Sequence, residues 1–416
     1  MNIILSNGGA RCPQRACPAA DTAQRVGDNA LHRLLWSLAA VSLALAAASL
    51  HAQSRDGLVV QQARNNNVQS RAKLSHYDPN LFDLSDLPEY KPEQEVSGTV
   101  RLWGNNYIAD SYLGGYWETA FRRYHPNVHL DLSGMKSGLV ATASLVTGAA
   151  DIAANRHITF AELEGFERMF NYDPIEISMA RGSPDIPGWM TTFCIFVNKA
   201  NPTTHLTLKQ LDGIYGTARD GGWEGTTWHP EAARSAKENI RTWGQLGLSG
   251  EWKDKPIHVY GLNLRYNNCD MFERTVFHGG DKWNENLREY ANYSKPDGSL
   301  AIAANELMAD LDHDPLGIGW SGIQNSTPQT RALAIAAQDG GPYVPVTIQT
   351  VHDRSYPLAF DMFFYVNRKP GQPLDPKVRE FIRFVLSREG QQAVARDGKY
   401  LPLTAEVVRE ELKKLD

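Results

Sequence analysis

Apolar residues in the middle of the chain alternate between the period of a β-strand and the period of an α-helix. VSGTVRLWG is typical of a strand that ends at Gly104, and VHLDL alternates strictly between apolar and polar positions. Between these strands, apolar residues recur at helical spacing: Leu113, Trp117, Ala120, Phe121 and Tyr124. The order strand, helix, strand predicts a βαβ unit. A second helix (Leu139, Ala143, Val146) and the strand ADIAA extend the unit, so we expect an α/β region with a mostly parallel sheet.

The same two periods continue toward the C-terminus. Four further segments are strand-like: WMTTFCIFVNKANP, PIHVYGLNL, LGIGWSGI and YPLAFDMFFYVN. Three amphipathic segments predict helices: LTLKQLDGIYG, NNCDMFERTVF and DPKVREFIRFVLS, the last with Asp375 as its cap and Pro376 at its first position. Residues 217–256 are rich in loop-forming residues. A chain of 416 residues with this much regular structure predicts two domains.

An apolar run near the N-terminus, LLWSLAAVSLALAAASLHA, follows Arg33 and ends on small residues. This pattern is typical of a secretory signal, so we predict that residues 1–52 are an export signal region that is cleaved after Ala52. A membrane anchor is the alternative. Residues 53–96 are polar and poor in large aliphatic side chains, which predicts a polar tether with a partly ordered end. We therefore expect a periplasmic or secreted protein.

Net charge and cysteine content bear on the partners of the protein and on its disulfide bonding. Without residues 1–52 the chain carries 38 basic and 45 acidic residues, a net charge of −7. A nucleic-acid surface requires a clustered basic excess, so we expect no nucleic-acid partner. Cys194 and Cys269 remain after cleavage. They can form a disulfide in an oxidising compartment or stay as two buried thiols, and their strand-like and helical surroundings favour thiols.

The sequence lacks the motifs of the common catalytic and metal sites. GxSxG, a P-loop, HExxH and CxxC are all missing, so we expect no catalytic residue and no cofactor. The acidic run DLDHDP (310–315) carries four potential metal ligands, but contiguous acids at a turn that ends in proline are typical of a solvated loop. We expect no metal site.

Five segments, in this order, resemble the phosphate-binding periplasmic proteins of ABC importers. They are VRLWGNNYIADSYLGGYW, GMKSGL, ADIAANRHI, the pair LTLKQLDGIYG and RTWGQLG, and YPLAFDMFFYVN with PKVREFIRFVLSREGQQAVARDGKYLPL. The resemblance covers residues 97–416. It implies an α/β, two-lobe periplasmic-binding-protein-like fold of type II, with mixed sheets, flanking helices and two hinge crossings. Lobe one would comprise 97–197 and 346–416, lobe two 198–345, and the crossings VNKANP and YPLAF.

The resemblance also implies a function. It predicts an exported solute-binding protein, a monomer, that captures a small oxyanion, most of all phosphate, between its lobes for an ABC permease in the inner membrane. The alternative is a secreted or envelope accessory or sensor protein with the same fold and an altered cleft.

Three loops can supply the hydrogen-bond donors that an oxyanion needs, namely main-chain N–H groups at helix starts, short hydroxyls and arginine. The candidates are Asn105, Asn106 and Ser111 in the first loop, Ser137 and Gly138 in the second, and Arg265, Tyr266, Asn267 and Asn268 in the third. We expect Ser137 to cap the helix that follows it. Trp103, Tyr107 and Tyr266 are candidates for stacking against a ligand in the cleft.

Two positions depart from the pattern of the family. The third loop lacks the Ser-Gly-Thr of that pattern, and Asp270 near its helix start would repel phosphate. Asn155 and Arg156 stand where the family has an aspartate, and an arginine there would favour a more fully ionised anion. For each candidate, helix capping or pairing with a nearby carboxylate is the alternative role.

Overall fold

The computed structural model describes residues 72–297 and 299–416, without the side chains of Leu139 and Asn267. The export signal predicted over 1–52 lies outside the described residues, as does the tether up to residue 71. Within the described residues, no helix combines the length and the apolar character that crossing a bilayer requires.

The described strands are β1 Gly98–Gly104, β2 Val128–Asp131, β3 Ile152–Asn155, β4 Ile175–Arg181, β5 Cys194–Asn198, β6 His205–Thr207, β7 Gly222–Glu224, β8 Thr227–His229, β9 His258–Leu262, β10 Arg288–Tyr290, β11 Tyr293–Ser294, β12 Leu300–Ala301, β13 Gly317–Ser321, β14 Thr330–Ala332, β15 Ala334–Ala336 and β16 Asp361–Val366.

The described α-helices are α1 Tyr107–Asp110, α2 Leu113–Phe121, α3 Leu139–Val146, α4 Phe160–Phe170, α5 Leu208–Tyr215, α6 Asn267–Val276, α7 Ala303–Leu311, α8 Ile348–His352, α9 Pro376–Val385, α10 Arg388–Asp397 and α11 Ala405–Lys413. Short 3₁₀ turns occupy Pro230–Ala232, Ala236–Glu238, Trp243–Leu246, Gly250–Trp252 and Ile323–Asn325. Four of these turns fall in 217–256, the segment predicted to be loop-rich.

The first sheet has the strand order β2-β1-β3-β16-β4. Strands β2, β1 and β3 run parallel, as the predicted βαβ unit requires. Strand β16 comes from the C-terminal part of the chain and lies antiparallel to both β3 and β4. Strand β4 therefore points in the same direction as β1, β2 and β3. The sheet is mixed, as the α/β fold class predicted, and the expectation of a mostly parallel sheet in the first region is confirmed, with β16 as the antiparallel strand.

The second sheet has the order β10-β9-β13-β5-β14. Strands β10, β9 and β13 are parallel, and β5 is antiparallel to β13 and β14. The predicted lobe boundary placed β5 in lobe one, but its backbone hydrogen bonds place it in the second sheet. The chain therefore passes from one sheet to the other within 182–193, before VNKANP, and returns before β16. The division into lobes stays a prediction.

The segment 72–96 packs on the core around the first sheet. Its buried apolar side chains are Ala72, Leu84, Leu87, Tyr90 and Val96. The Tyr90 hydroxyl donates to Glu380 Oε2 at 2.6 Å and lies 2.7 Å from His125 Nε2. The described part of the predicted tether is thus held on the core by a few buried apolar side chains. The average polarity of the segment does not reveal them.

The two cysteines of the described chain, Cys194 and Cys269, are buried and free. The prediction of two buried thiols is confirmed. Burial raises the pKa of both thiols well above its ordinary value, so neither is suited to act as a nucleophile at neutral pH.

Candidate anion-binding site

The end of β3 brings two of the predicted ligand loops together. Asn155 is buried, and its Oδ1 accepts a hydrogen bond from the Arg156 backbone N–H at 2.9 Å. Its Nδ2 donates to the Gly138 carbonyl at 3.3 Å. A Cβ atom at position 138 would lie 2.7 Å from Asn155 Oδ1. The close approach of the second loop to β3 therefore requires glycine at this position.

The first loop lies beside the same strand end. The Asn105 backbone N–H donates to the Ala154 carbonyl at 2.8 Å, and Asn105 Oδ1 accepts from the Tyr107 backbone N–H at 3.2 Å. Asn106 Nδ2 donates to Asp110 Oδ2 at 2.5 Å. Both amide side chains thus hold the first turn of α1 in place.

Two predicted serines take positions at the ends of helices or strands. Ser111 Oγ accepts from the Leu113 backbone N–H at 3.2 Å and so stabilises the start of α2, the alternative role named for it. The Ser137 backbone N–H donates to the Gly104 carbonyl at 3.0 Å, at the end of β1. The cap position of α3 falls on Gly138, one residue after the position predicted for Ser137.

The third loop leads into α6 on the side of the second sheet. Asn268, in the first turn of α6, accepts a hydrogen bond on Oδ1 from Arg156 Nη1 at 3.3 Å. Tyr266 turns toward its own sheet, where its hydroxyl accepts from the Asn292 backbone N–H at 2.8 Å. Arg265 is exposed, and its guanidinium has no hydrogen-bond or ion-pair partner among the described residues. The side chain of Asn267 lies outside the description.

Arg156 is the group that joins the two sides. Besides its contact with Asn268, its Nη2 donates to the Gly188 carbonyl at 2.7 Å. The guanidinium lies 5.6 Å from the centre of the Tyr107 ring, which itself packs on Trp189 at 5.0 Å. Arg156 Nε is buried and has no hydrogen-bond partner among the described residues. These contacts aim the guanidinium at the first turn of α6.

Sequence reasoning missed Gly188 and Trp189. Gly188 has φ +98°, a backbone conformation that favours glycine, and a Cβ there would lie 3.4 Å from the Tyr107 ring. The available signal was the turn-forming run SPDIPG just before an apolar strand.

An acidic cavity of about 210 Å³ lies beside these contacts, lined by residues of the first sheet and of α6. Its carboxylates are Asp173, Glu176, Asp270 and Glu273. Burial raises the pKa of Asp270 to about 6 and that of Glu273 to about 7. None of the described candidate ligand residues lines this cavity, and its charge disfavours an anion. The acidic cavity is therefore unsuited to an oxyanion.

The acidic run at 310–315 begins in the last turn of α7 and is partly exposed, and its three aspartates accept hydrogen bonds from neighbouring side chains. Asp310 Oδ2 accepts from the Tyr290 hydroxyl at 2.6 Å, Asp312 accepts from the Thr327 hydroxyl, and Asp314 Oδ2 accepts from the Tyr260 hydroxyl at 2.7 Å. Across 72–297 and 299–416, His, Cys, Asp and Glu side chains form no group of three placed to hold a metal ion.

Comparison with known proteins identifies the family. A family profile described as the PBP superfamily domain matches residues 96–389. The phosphate-binding protein PstS of Pseudomonas aeruginosa is 31% identical over 330 residues, which cover 79% of this chain and 90% of that protein. The chain belongs to the PstS family of the PBP superfamily. The family resemblance carried by the five sequence segments is thereby confirmed.

Two further proteins are similar at lower identity. Protein SphX of Synechococcus elongatus is 25% identical over 292 residues, or 68% of this chain and 71% of that protein. The crystal structure of an ABC-type phosphate transport receptor from Vibrio cholerae is 18% identical, covers 73% of this chain and 99% of that chain, and has a TM-score of 0.43.

Proposed function

We propose that this protein is an exported solute-binding receptor that holds a small oxyanion, most of all phosphate, between its two sheets and passes it to an ABC permease. The observation that carries the proposal is the 31% identity to a phosphate-binding protein over 90% of that protein's length. The family profile, which matches residues 96–389, spans the strands of both sheets.

The hydrogen-bond donors around Arg156 also support the proposal. A charged guanidinium from the first sheet meets the first turn of α6, which follows β9 of the second sheet. Free main-chain N–H groups at a helix start and a guanidinium are both donors to an oxyanion. Donors from two sheets also couple binding to closure of the cleft, because the anion is fully bound when both sides reach it.

The remaining expectations belong to the same proposal. We propose a monomeric receptor without catalytic activity, located in the periplasm or secreted. The net negative charge of the chain and the missing catalytic motifs support the absence of a nucleic-acid partner and of catalysis.

Two arginines that the sequence could not separate provide the test. We expect the purified protein to bind inorganic phosphate in isothermal titration calorimetry, with a matching change in tryptophan fluorescence. Arg156→Ala should weaken the affinity at least about tenfold, because a hydrogen bond to a charged group contributes about 1.5–3 kcal/mol. Arg265→Ala, the matched control, should leave the affinity within about twofold, because Arg265 is exposed and its guanidinium forms no hydrogen bond or ion pair among the described residues.

Other outcomes contradict distinct parts of the proposal. If Arg265→Ala abolishes binding and Arg156→Ala does not, the anion binds at the third loop alone. If the unaltered protein binds neither phosphate nor another oxyanion, the receptor function is wrong.

A further inference from the structure

Helix α6 contacts the first sheet a second time, at its C-terminal end. Arg274, in the last turn of α6, places Nη1 at 2.6 Å from His157 Nδ1 and 2.7 Å from His157 Nε2. The same Nη1 lies 3.5 Å from Glu176 Oε2 of β4. His157 directly follows Arg156, so two consecutive residues after β3 contact the two ends of one helix.

The partners of Arg274 are held in place by their own sheet. The Tyr365 hydroxyl, on β16, donates to Glu176 Oε2 at 2.7 Å, and His157 Nδ1 lies 3.3 Å from the same oxygen. Burial opposes ionisation of Glu176, but His157 and Arg274 outweigh it and lower the pKa of this carboxyl to about 2. Glu176 is therefore a fixed negative charge at neutral pH.

Arg274 also lines the acidic cavity. It is the single arginine or lysine among the described residues that line the acidic cavity, together with Asp173, Asp270 and Glu273. Without the Arg274 charge, carboxylates from both sheets would face one another across the gap and repel. The contact of Arg274 with Glu176 offsets part of this repulsion.

The two contacts on α6 are far enough apart to fix its direction. Six residues separate Asn268 and Arg274, which corresponds to about 9 Å along the helix axis. Met271, Phe272 and Val276 bury α6 in the core of the second sheet, so the helix moves together with that sheet. A single contact with the first sheet would leave this unit free to pivot about it, whereas two contacts restrict the pivot. The distance between the first turn of α6 and Arg156 therefore depends in part on the contact at Arg274.

We infer that Arg274 is a positioning residue: its contact with Glu176 and His157 holds α6 against the first sheet, keeps the first turn of α6 at Arg156, and slows release of the bound oxyanion. The inference rests on the proposed function for the identity of the ligand. The contact between the sheets itself does not depend on that function.

The main test is the rate of phosphate release, measured by stopped-flow tryptophan fluorescence. The Arg274 side chain is 51% exposed, so the contact is a modest one. We expect Arg274→Gln and Glu176→Gln each to accelerate release about three- to tenfold and to change the association rate less than about twofold. The double variant should be no faster than the faster single variant, and Arg274→Lys should restore part of the effect.

Arg168→Gln is the matched control. Arg168 pairs with Glu164 at 2.6 Å within α4, so this substitution breaks an Arg–Glu pair that does not join the two sheets. It should leave the release rate unchanged. If Arg274→Gln lowers the unfolding temperature but leaves the release rate unchanged, its role is structural and the inference is wrong.

A measurement without ligand separates this inference from the proposed function. Small-angle X-ray scattering of the ligand-free protein should give a larger radius of gyration for Arg274→Gln and Glu176→Gln than for Arg168→Gln or the unaltered protein. Equal radii together with equal release rates would overturn the inference. If the unaltered protein binds no phosphate, the proposed function is wrong, and the scattering comparison still decides whether Arg274 holds the sheets together.

Discussion

Glu273 is a residue of α6 whose carboxyl group takes up a proton near neutral pH. Burial raises the pKa of this carboxyl to about 7; a hydrogen bond from Trp283 Nε1 opposes the rise, and the nearby Asp270 adds to it. The folded state therefore holds the proton at a higher pH than the unfolded chain does. Stability that is present below the ordinary pKa of about 4.5 is lost as the pH rises through about 7.

We expect Glu273→Gln to raise the free energy of unfolding by about 1–2 kcal/mol at pH 8 and to change it little at pH 4. Glutamine removes the charge and keeps an oxygen that accepts the hydrogen bond from Trp283. Urea unfolding at the two pH values measures the difference. Glu285→Gln is the control, because the Glu285 side chain is 65% exposed. An equal gain for Glu273→Gln at both pH values would contradict this explanation.

The candidate site shows what residue types alone can predict. The loops around Asn155, Gly138 and Asn268 lie together in the structure, because each follows a strand end or begins a helix, and such positions are readable from sequence. The direction in which an arginine side chain points cannot be read from the sequence. Arg156 and Arg265 both follow strand ends, so the sequence pattern does not show which of them points into the gap between the sheets. The Arg156 guanidinium is oriented by the Gly188 carbonyl, which is distant in sequence.

At the scale of elements, α4 shows a start signal that the period of apolar residues does not reveal. Thr159 Oγ1 accepts from the Glu162 backbone N–H at 3.3 Å, and Glu162 Oε2 accepts from the Thr159 backbone N–H at 2.9 Å. This reciprocal capping box sits in the sequence as TFAE. The capping box indicates the start of α4, whereas the spacing of apolar residues does not.

Loss of this cap should destabilise the fold measurably. We expect Thr159→Ala to lower the free energy of unfolding by about 1 kcal/mol, because two main-chain N–H groups lose or weaken their acceptors. Thr159→Ser keeps the hydroxyl and should cost less than half as much. Urea unfolding of the three proteins tests this. A similar loss for serine and alanine would assign the effect to the methyl group of threonine.

The sequence predicts the strands themselves better than it predicts which strands pair with one another in a sheet. The continuous apolar run of β5 predicts a strand, but the same run fits either sheet, so it does not show that β5 forms its hydrogen bonds in the second sheet. Strand β16 was recognised too, but its antiparallel position between β3 and β4 joins residues about two hundred positions apart. Periodicity reports local structure and burial, and it carries no information on which distant strand supplies the hydrogen bonds.

At the scale of the whole molecule, the segment 72–96 touches the chain where it leaves the first sheet and also just before it returns. The Tyr77 hydroxyl lies 2.8 Å from Ser183 Oγ, in the connection between β4 and β5. The Phe82 ring stacks on His352 of α8 with ring centres 4.0 Å apart. Side chains further along the segment enter the core of the first sheet. The segment therefore belongs to the folded unit and braces both connections between the sheets.

A comparison of two shortened chains tests this role. We expect the free energy of unfolding of a chain that begins at residue 97 to be at least about 3 kcal/mol lower than that of a chain that begins at Ala72. The reason is that each fully buried Leu, Val or aromatic side chain contributes about 1.5–3 kcal/mol. Urea unfolding gives both values, and a smaller dependence on urea in the shorter chain would report its smaller buried surface. Equal free energies would mean that residues 72–96 are the polar tether that composition predicted. The result also bears on ligand binding, since a chain without the brace should move more freely at both connections between its sheets and release phosphate faster.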